Sequence, residues 1–303
     1  MRQKPAAQAE IGRSPSEQFL IQNWNWDTNE SHDTQRSRLI REYLRSTSEP
    51  QEWEDAFRTD RDAPLPRVPT GEEKRIMFDP WRSPHIRKVA IQCHLQLGAQ
   101  NVWLRTHYAP EGEDDSALSR TFLDMVNATS EDNMSDEEDA PHFILNNRSQ
   151  LHFGQDWEKV FEVIPELIGH INRLEERLLP EQSVNVKMEQ ASLAEKVASL
   201  PDGTVVQSLA DCDEVHMLQV YAVQGYLLVA DAEALQTGLF KLIWYDGRGG
   251  AIRSSTIEPS EARRFRRYTE LGRAYDCFDY WTQGFIDPKY RLDGEYRSVV
   301  YGL

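Results

Sequence analysis

Residues 86–108 are the part of the chain that most narrows its fold. Ile91, Cys93, Leu95 and Leu97 alternate with Gln92, His94 and Gln96. After Gly98-Ala99-Gln100 the pattern resumes, with Val102, Leu104 and Thr106 set against Trp103, Arg105 and His107. A period of two sends successive side chains to opposite faces of a strand. A two-residue turn at Ala99-Gln100 pairs Leu97 with Val102 and Leu95 with Leu104, so the sequence predicts an amphipathic β-hairpin. Its apolar face needs a cover, and helices are the simplest one. Ser116–Val126 is a candidate, with Leu118, Phe122, Leu123 and Val126 at helical spacing.

Helical and extended signals continue on both sides of that hairpin. Phe19–Trp26 reads as an extended segment with Trp24 and Trp26 on one side, followed by helices over Thr34–Arg45 and Glu52–Phe57. Pro64, Pro66, Pro69 and Gly71 mark 60–71 as a loop. Gln155–Leu179 carries the longest helical stripe, from Trp157 through Val160, Phe161, Ile164, Leu167, Ile168, Ile171 and Leu174 to Leu178. Pro165 lies inside it and predicts a kink or two abutting helices. Leu179-Pro180-Glu181-Gln182 then separates two lobes.

Beyond that boundary the sequence predicts a strand over Val184–Met188, a helix over Ala191–Leu200 and a short strand beginning at Val205-Val206. Val215–Ala230 fits either a hairpin or a helix followed by a strand. Leu239–Tyr245 and Ala251–Ile257, joined by Asp246-Gly247-Arg248-Gly249-Gly250, form a second hairpin. Pro259 opens a helix reaching about Ala274, and the aromatic residues after it pack inward. The fold class is therefore α+β, with antiparallel or mixed sheet elements covered by helices in two lobes. Residues 1–16 read as a disordered tail. An N-terminal lobe with a helical arm spans 17–180 and holds an acidic disordered loop over 129–140; a C-terminal lobe spans 181–303.

A chain of 303 residues with 39% hydrophobic and 28% charged residues can bury a sizeable core. Its formal net charge of −16 opposes non-specific attraction to nucleic acid or anionic membranes. No run approaches the length of apolar sequence needed to span a bilayer. Cys93, Cys212 and Cys277 are far apart and odd in number, as expected of free thiols in a reducing compartment. The opening Met1-Arg2-Gln3-Lys4-Pro5 has no apolar core of a secretory signal, which points to the cytoplasm or nucleus. The sequons at Asn29, Asn127, Asn133 and Asn147 are then chance matches.

Several residues have the chemistry for a site. The polar face of the first hairpin brings His94 opposite Arg105 and sets His107 diagonally beside His94, with Trp103 on the same face. There His94 or His107 would serve as general base, Arg105 would hold an anion and Trp103 would stack on a ring. No third ligand is placed for a metal, and no cofactor is implied. Tyr245–Gly250 is rich in glycine, but its flanks predict strand–turn–strand, unlike a phosphate loop. Arg263, Arg264, Arg266 and Arg267 form a basic cluster, read as an interaction surface in preference to a nucleic-acid site. Ser135, ahead of Asp136, Glu137 and Glu138, has an acidic phosphorylation context, and Trp24 and Trp26 form a docking candidate. Cys93 faces the core, while Cys212 and Cys277 adjoin acids that disfavour a thiolate.

Common hydrolase, kinase, zinc-protease and dinucleotide-binding motifs are absent. The sequence thus leads to a non-catalytic interaction or accessory protein with a protein partner. The alternative is a small-molecule enzyme or ligand-binding protein using the polar face of the 86–108 hairpin.

Overall fold

A six-stranded mixed sheet, in the order β2-β1-β3-β4-β5-β6, organises the larger part of the fold. The computed structural model describes residues 11–46, 49–53, 67–95, 102–129, 143–168, 184–201, 204, 206–262 and 278–303. Two compact units result, Met1–Ala99 with Glu158–Leu174, and Gln100–Trp157 with Glu175–Leu303. They interleave along the chain, and the expected boundary at residue 180 lies outside the described residues.

In the first unit, α1 (Pro15–Asn23) and α2 (His32–Arg45) begin with serine caps. Ser14 Oγ accepts from the Glu17 amide and Ser31 Oγ from the Thr34 amide, satisfying donors that have no partner inside a helix. Leu20, Ile21, Leu39, Ile40, Met77, Phe78 and Trp81 form the core between these helices and the following helical segment. Residues 11–16, expected in a disordered tail, are packed: Ser16 is fully buried and Ser14 caps α1. Trp24 caps the end of α1, so Phe19–Asn23 is helical, contrary to the extended reading.

The first predicted hairpin does not form. Pro84–Leu95 is a helix, α3, and Ser83 Oγ accepts from the Ile86 amide at its start, with Pro84 as its first residue. The buried residues Ile86, Val89, Ala90 and Cys93 follow the spacing of one helical face. That stripe outranks the alternation of Ile91, Cys93 and Leu95, which is too short to choose a period by itself. Further on, Pro165 breaks the long stripe. Val160–Val163 is one helical turn, Ile164 leaves the helical region at φ −132° and ψ 72°, and Pro165–Ile168 is a 3₁₀ turn.

In the second unit, β1 (Val102–Arg105) pairs in parallel with β2 (Phe143–Leu145) on one side and β3 (Gly225–Ala230) on the other. The rest of the sheet is antiparallel, through β4 (Phe240–Tyr245), β5 (Ala251–Ile257) and the two-residue edge strand β6 (Phe285–Ile286). The second predicted hairpin is thus present as β4–β5. Asp246 closes its turn by accepting from the Arg248 and Gly250 amides, and Gly249 takes the positive φ of 80°.

One sheet face packs on helices, with Trp103, Leu228, Leu242 and Trp244 meeting Phe122, Met125 and Leu218 in a common core. The helices contributing are α4 (Ser116–Asn127), predicted from its stripe, α5 (Val184–Ala198), α6 (Asp213–Ala222) and α7 (Ala232–Thr237). Val184–Met188 therefore opens a helix where a strand was expected. Val186 and Leu193, two turns apart, are its buried anchors, and Lys187-Met188-Glu189-Gln190 favours helix. Val206–Leu209 is a 3₁₀ turn where a strand was expected. The last helix, α8 (Phe278–Gln283), and the buried Trp281, Tyr290, Tyr296 and Tyr301 complete the packed C-terminal aromatics.

Candidate functional site

Arg105, the expected anion holder, stands at the carboxyl end of β1 and is completely buried. Its guanidinium is engaged on every side. Nε donates to the His107 carbonyl at 2.8 Å, Nη1 to Asn146 Oδ1 at 3.2 Å and Nη2 to Asp115 Oδ1 at 2.5 Å. The Tyr108 ring lies 4.3 Å beneath it, and the Tyr108 hydroxyl donates back to the Arg105 carbonyl. Asp115 Oδ1 also accepts from the Ala109 amide. Burial pushes the Asp115 carboxyl up, but the Arg105 hydrogen bond, the Ala109 amide and the guanidinium charge outweigh it and hold it below the usual range. The arrangement ties the exit of β1 to the end of β2 and the start of α4, so Arg105 acts as a clamp.

The remaining hairpin residues do not converge as expected. Trp103 is buried in the core beneath the helices, and His107 is half-buried just after β1. His94 lies in α3, in the other compact unit, and its side chain is outside the described residues. The register that set His94 against Arg105 is replaced by parallel pairing of Arg105 with Ala230. The shared polar face is therefore absent. Arg263, Arg264, Arg266, Arg267, Ser135 and Cys277 all lie outside the described residues, as does most of the acidic loop.

Sequence reasoning missed a buried polar chain in the second unit. Arg253, on β5, is 1% exposed, and its hydrogen bonds go to neutral groups. Nε donates to Gln219 Oε1 at 2.8 Å, Nη1 to the Trp281 carbonyl at 2.7 Å, and Nη2 faces His216 Nδ1 at 3.2 Å. Gln219 Nε2 passes the chain to the Tyr290 carbonyl and the Tyr301 hydroxyl, and the Tyr290 hydroxyl donates to buried Asp246 at 2.7 Å. Burial draws the Arg253 guanidinium down to about 10. Burial, then the charge of Arg253, lowers His216, and burial raises Asp246 despite its three donors. Arg253 stands in a strand of mostly small and polar residues, Ala251–Ile257, and so left no local sign; Gln219 and Tyr290 are 34 and 71 residues distant from their respective partners.

The thiols are ill suited to nucleophilic chemistry. Cys93 is completely buried, and burial raises its thiol far above the ordinary value. Burial also raises Cys212, with Glu214 adding to the shift. Among the described residues, no group of three His, Cys, Asp or Glu side chains is placed to hold a metal ion.

Trp24 and Trp26 are brought together, with ring centroids 6.1 Å apart. Trp24 is 8% exposed and also meets His32 at 5.9 Å, whereas Trp26 is 47% exposed. Exposed Gln22, Asn23, Asn25 and Asp27 surround the pair in sequence. This is an aromatic knob on a fixed base with a polar rim.

The fold and these arrangements define an α+β protein whose arginine clamps are internal and whose aromatic knob faces out. Among the described residues, no helix is long and apolar enough to cross a membrane. No protein-family model, curated protein or solved structure matches the chain.

Proposed function

We propose that the protein is a non-catalytic interaction or accessory protein of the cytoplasm or nucleus, acting through a protein partner. The observation that carries this reading is the half-exposed Trp26, whose ring leans at 57° against the buried Trp24. A rigid indole loses little conformational freedom on docking and offers a large apolar area, the character of an interface hot spot. The matching partner surface is an apolar pocket with polar edges. The free thiols Cys93 and Cys212 support a reducing compartment.

The test compares wild type with Trp26→Ala, each purified gently from its native source, by quantitative mass spectrometry of co-purifying proteins. The proposal expects a defined protein to be at least about tenfold depleted in the variant, the scale of one hot-spot side chain. Its melting temperature should stay unchanged. An identical set of associated proteins, with both forms folded, would overturn the role of Trp26.

A further inference from the structure

The β4–β5 turn holds neighbouring hydrogen-bond donors that nothing accepts. Asp246 donates its amide to the Gly250 carbonyl at 2.9 Å, and Gly249 donates to the Asp246 carbonyl at 3.0 Å. The Arg248 and Gly250 amides both reach Asp246 Oδ1. The Gly247 amide has no acceptor among the described residues, although Gly247 is buried. Beside it, Arg248 Nε is buried without a partner. The rest of this half-buried guanidinium makes no hydrogen bond or ion pair among the described residues. Arg82, Arg87 and Arg105, by contrast, each bond a carboxylate. A donor withdrawn from water and left unpaired is unfavourable, so this turn lacks an acceptor.

The guanidinium is nonetheless held in place. It lies over the Tyr296 ring, 5.1 Å from its centre, and that ring is set edge-on against Tyr290. Stacking occupies the flat face and leaves the in-plane N–H groups open, the fork that grips an oxyanion through two parallel bonds. The carboxylate coupled to Arg248 does not fill that fork. Asp246 uses Oδ1 for the two turn amides and Oδ2 for the Tyr290 hydroxyl, and burial raises its carboxyl towards the neutral form. A fixed cation therefore stands in the turn with no anion bonded to it.

We propose that the Asp246–Gly250 turn binds a phosphoryl group, with Arg248 as the fork and the Gly247 amide as a further donor. A phosphoryl group offers three strong acceptor oxygens and close to two negative charges, so it serves a guanidinium and an amide together better than a carboxylate does. The chain's net charge of −16 opposes any anion at long range, so a dissociation constant of about 1 mM is expected. The turn lies within the second unit, and the inference does not rest on the Trp26 reading, which concerns the other one.

Nuclear magnetic resonance of the isotopically labelled full chain tests it, with inorganic phosphate titrated to about 50 mM at constant ionic strength. The Gly247 amide and the Arg248 Nε–H resonance should shift together and saturate. Acetate should bind at least about fivefold more weakly. Arg248→Ala should weaken phosphate binding at least about tenfold, and Arg248→Lys, which keeps the charge but loses the fork, several-fold. Melting temperatures check that the variants stay folded, and Arg248→Lys carries the test if Arg248→Ala does not. Shifts that fail to saturate, or that sodium chloride alone reproduces, would overturn the proposal. So would equal affinity for acetate, or phosphate binding at Gly247 that is unchanged in the folded Arg248 variants.

Discussion

Arg82 in the first compact unit and Arg253 in the second are both buried, and they are held in opposite ways. In the first unit Arg82, 2% exposed, forms a two-pronged pair with buried Glu166, at 3.1 and 2.7 Å, while its Nε holds the Val163 carbonyl. Ser16 donates to the same carboxylate, and Glu17 stands 3.8 Å from Arg82 and 3.2 Å from Arg87. In the second unit Arg253 is held by an amide, a carbonyl and an imidazole. Charged partners give Arg82 strong attraction at a high desolvation cost, whereas the hydrogen bonds of Arg253 go to neutral groups and its charge is offset only in part, by Asp211. The two networks therefore differ in their response to acid.

Glu166 is pushed up by burial, but Arg82 and the Ser16 hydroxyl more than offset this and hold it below its ordinary 4.5. Its contribution is therefore complete above about 4.5 and disappears as pH falls through the lowered folded value. His216 is lowered from its ordinary 6.5, by burial first and then by Arg253. The unfolded chain takes up that proton more readily, so stability falls as soon as pH drops below about 6.5. Asp211 and Asp213 partly oppose the shift. Asp246 in the same network, raised by burial from 3.8, has the opposite sign and offsets part of this loss, but His216 starts from 6.5, so acid should loosen the second network before the first.

The largest effect is expected at Glu166. Glu166→Ala strands a buried guanidinium and should cost about 3–5 kcal/mol in urea unfolding. The double variant Arg82→Met/Glu166→Leu should recover most of that, because it also removes the desolvation cost. Arg253→Met should cost less, about 1–3 kcal/mol, since it leaves acceptors without donors but takes away a buried charge that has no carboxylate bonded to it. If Arg253→Met proved the costlier change, the contrast between the two networks would fail. The smallest effect belongs to His216→Asn, which keeps an acceptor for Arg253 while removing the titration. It should cost about 1 kcal/mol at neutral pH and flatten the stability profile between about pH 7 and 5.

The legible parts of the sequence were those with a complete local signal. The stripe from Leu118 to Val126 marks α4, and Asp246–Gly250 marks the β4–β5 turn between two strand-like runs. β1 could not be read by alternation, because Val102, Trp103, Leu104 and Arg105 are all buried and both faces of the strand are covered. Its true neighbours, Phe143–Leu145 and Leu227–Ala230, are distant in sequence and leave no trace in a short window. Cys93 satisfied two periods at once, and the helical one had the cap at Ser83 and the longer reach. Arg105 was read as an anion holder, but its hydrogen bonds to Asp115 and Asn146 make it a clamp. The full length of α5 was hidden by splitting one helix into a strand and a helix.

Hydrogen exchange across a pH series, corrected for intrinsic amide rates, tests the contrast most directly. Wild type should lose protection in α6 and in residues 285–301 between about pH 6.5 and 5, while α1 and residues 165–168 hold until below about 4.5. His216→Asn should abolish the earlier loss and leave the later one in place. Simultaneous loosening of both regions below 4.5, or an early loss in α6 that persists in His216→Asn, would contradict the account.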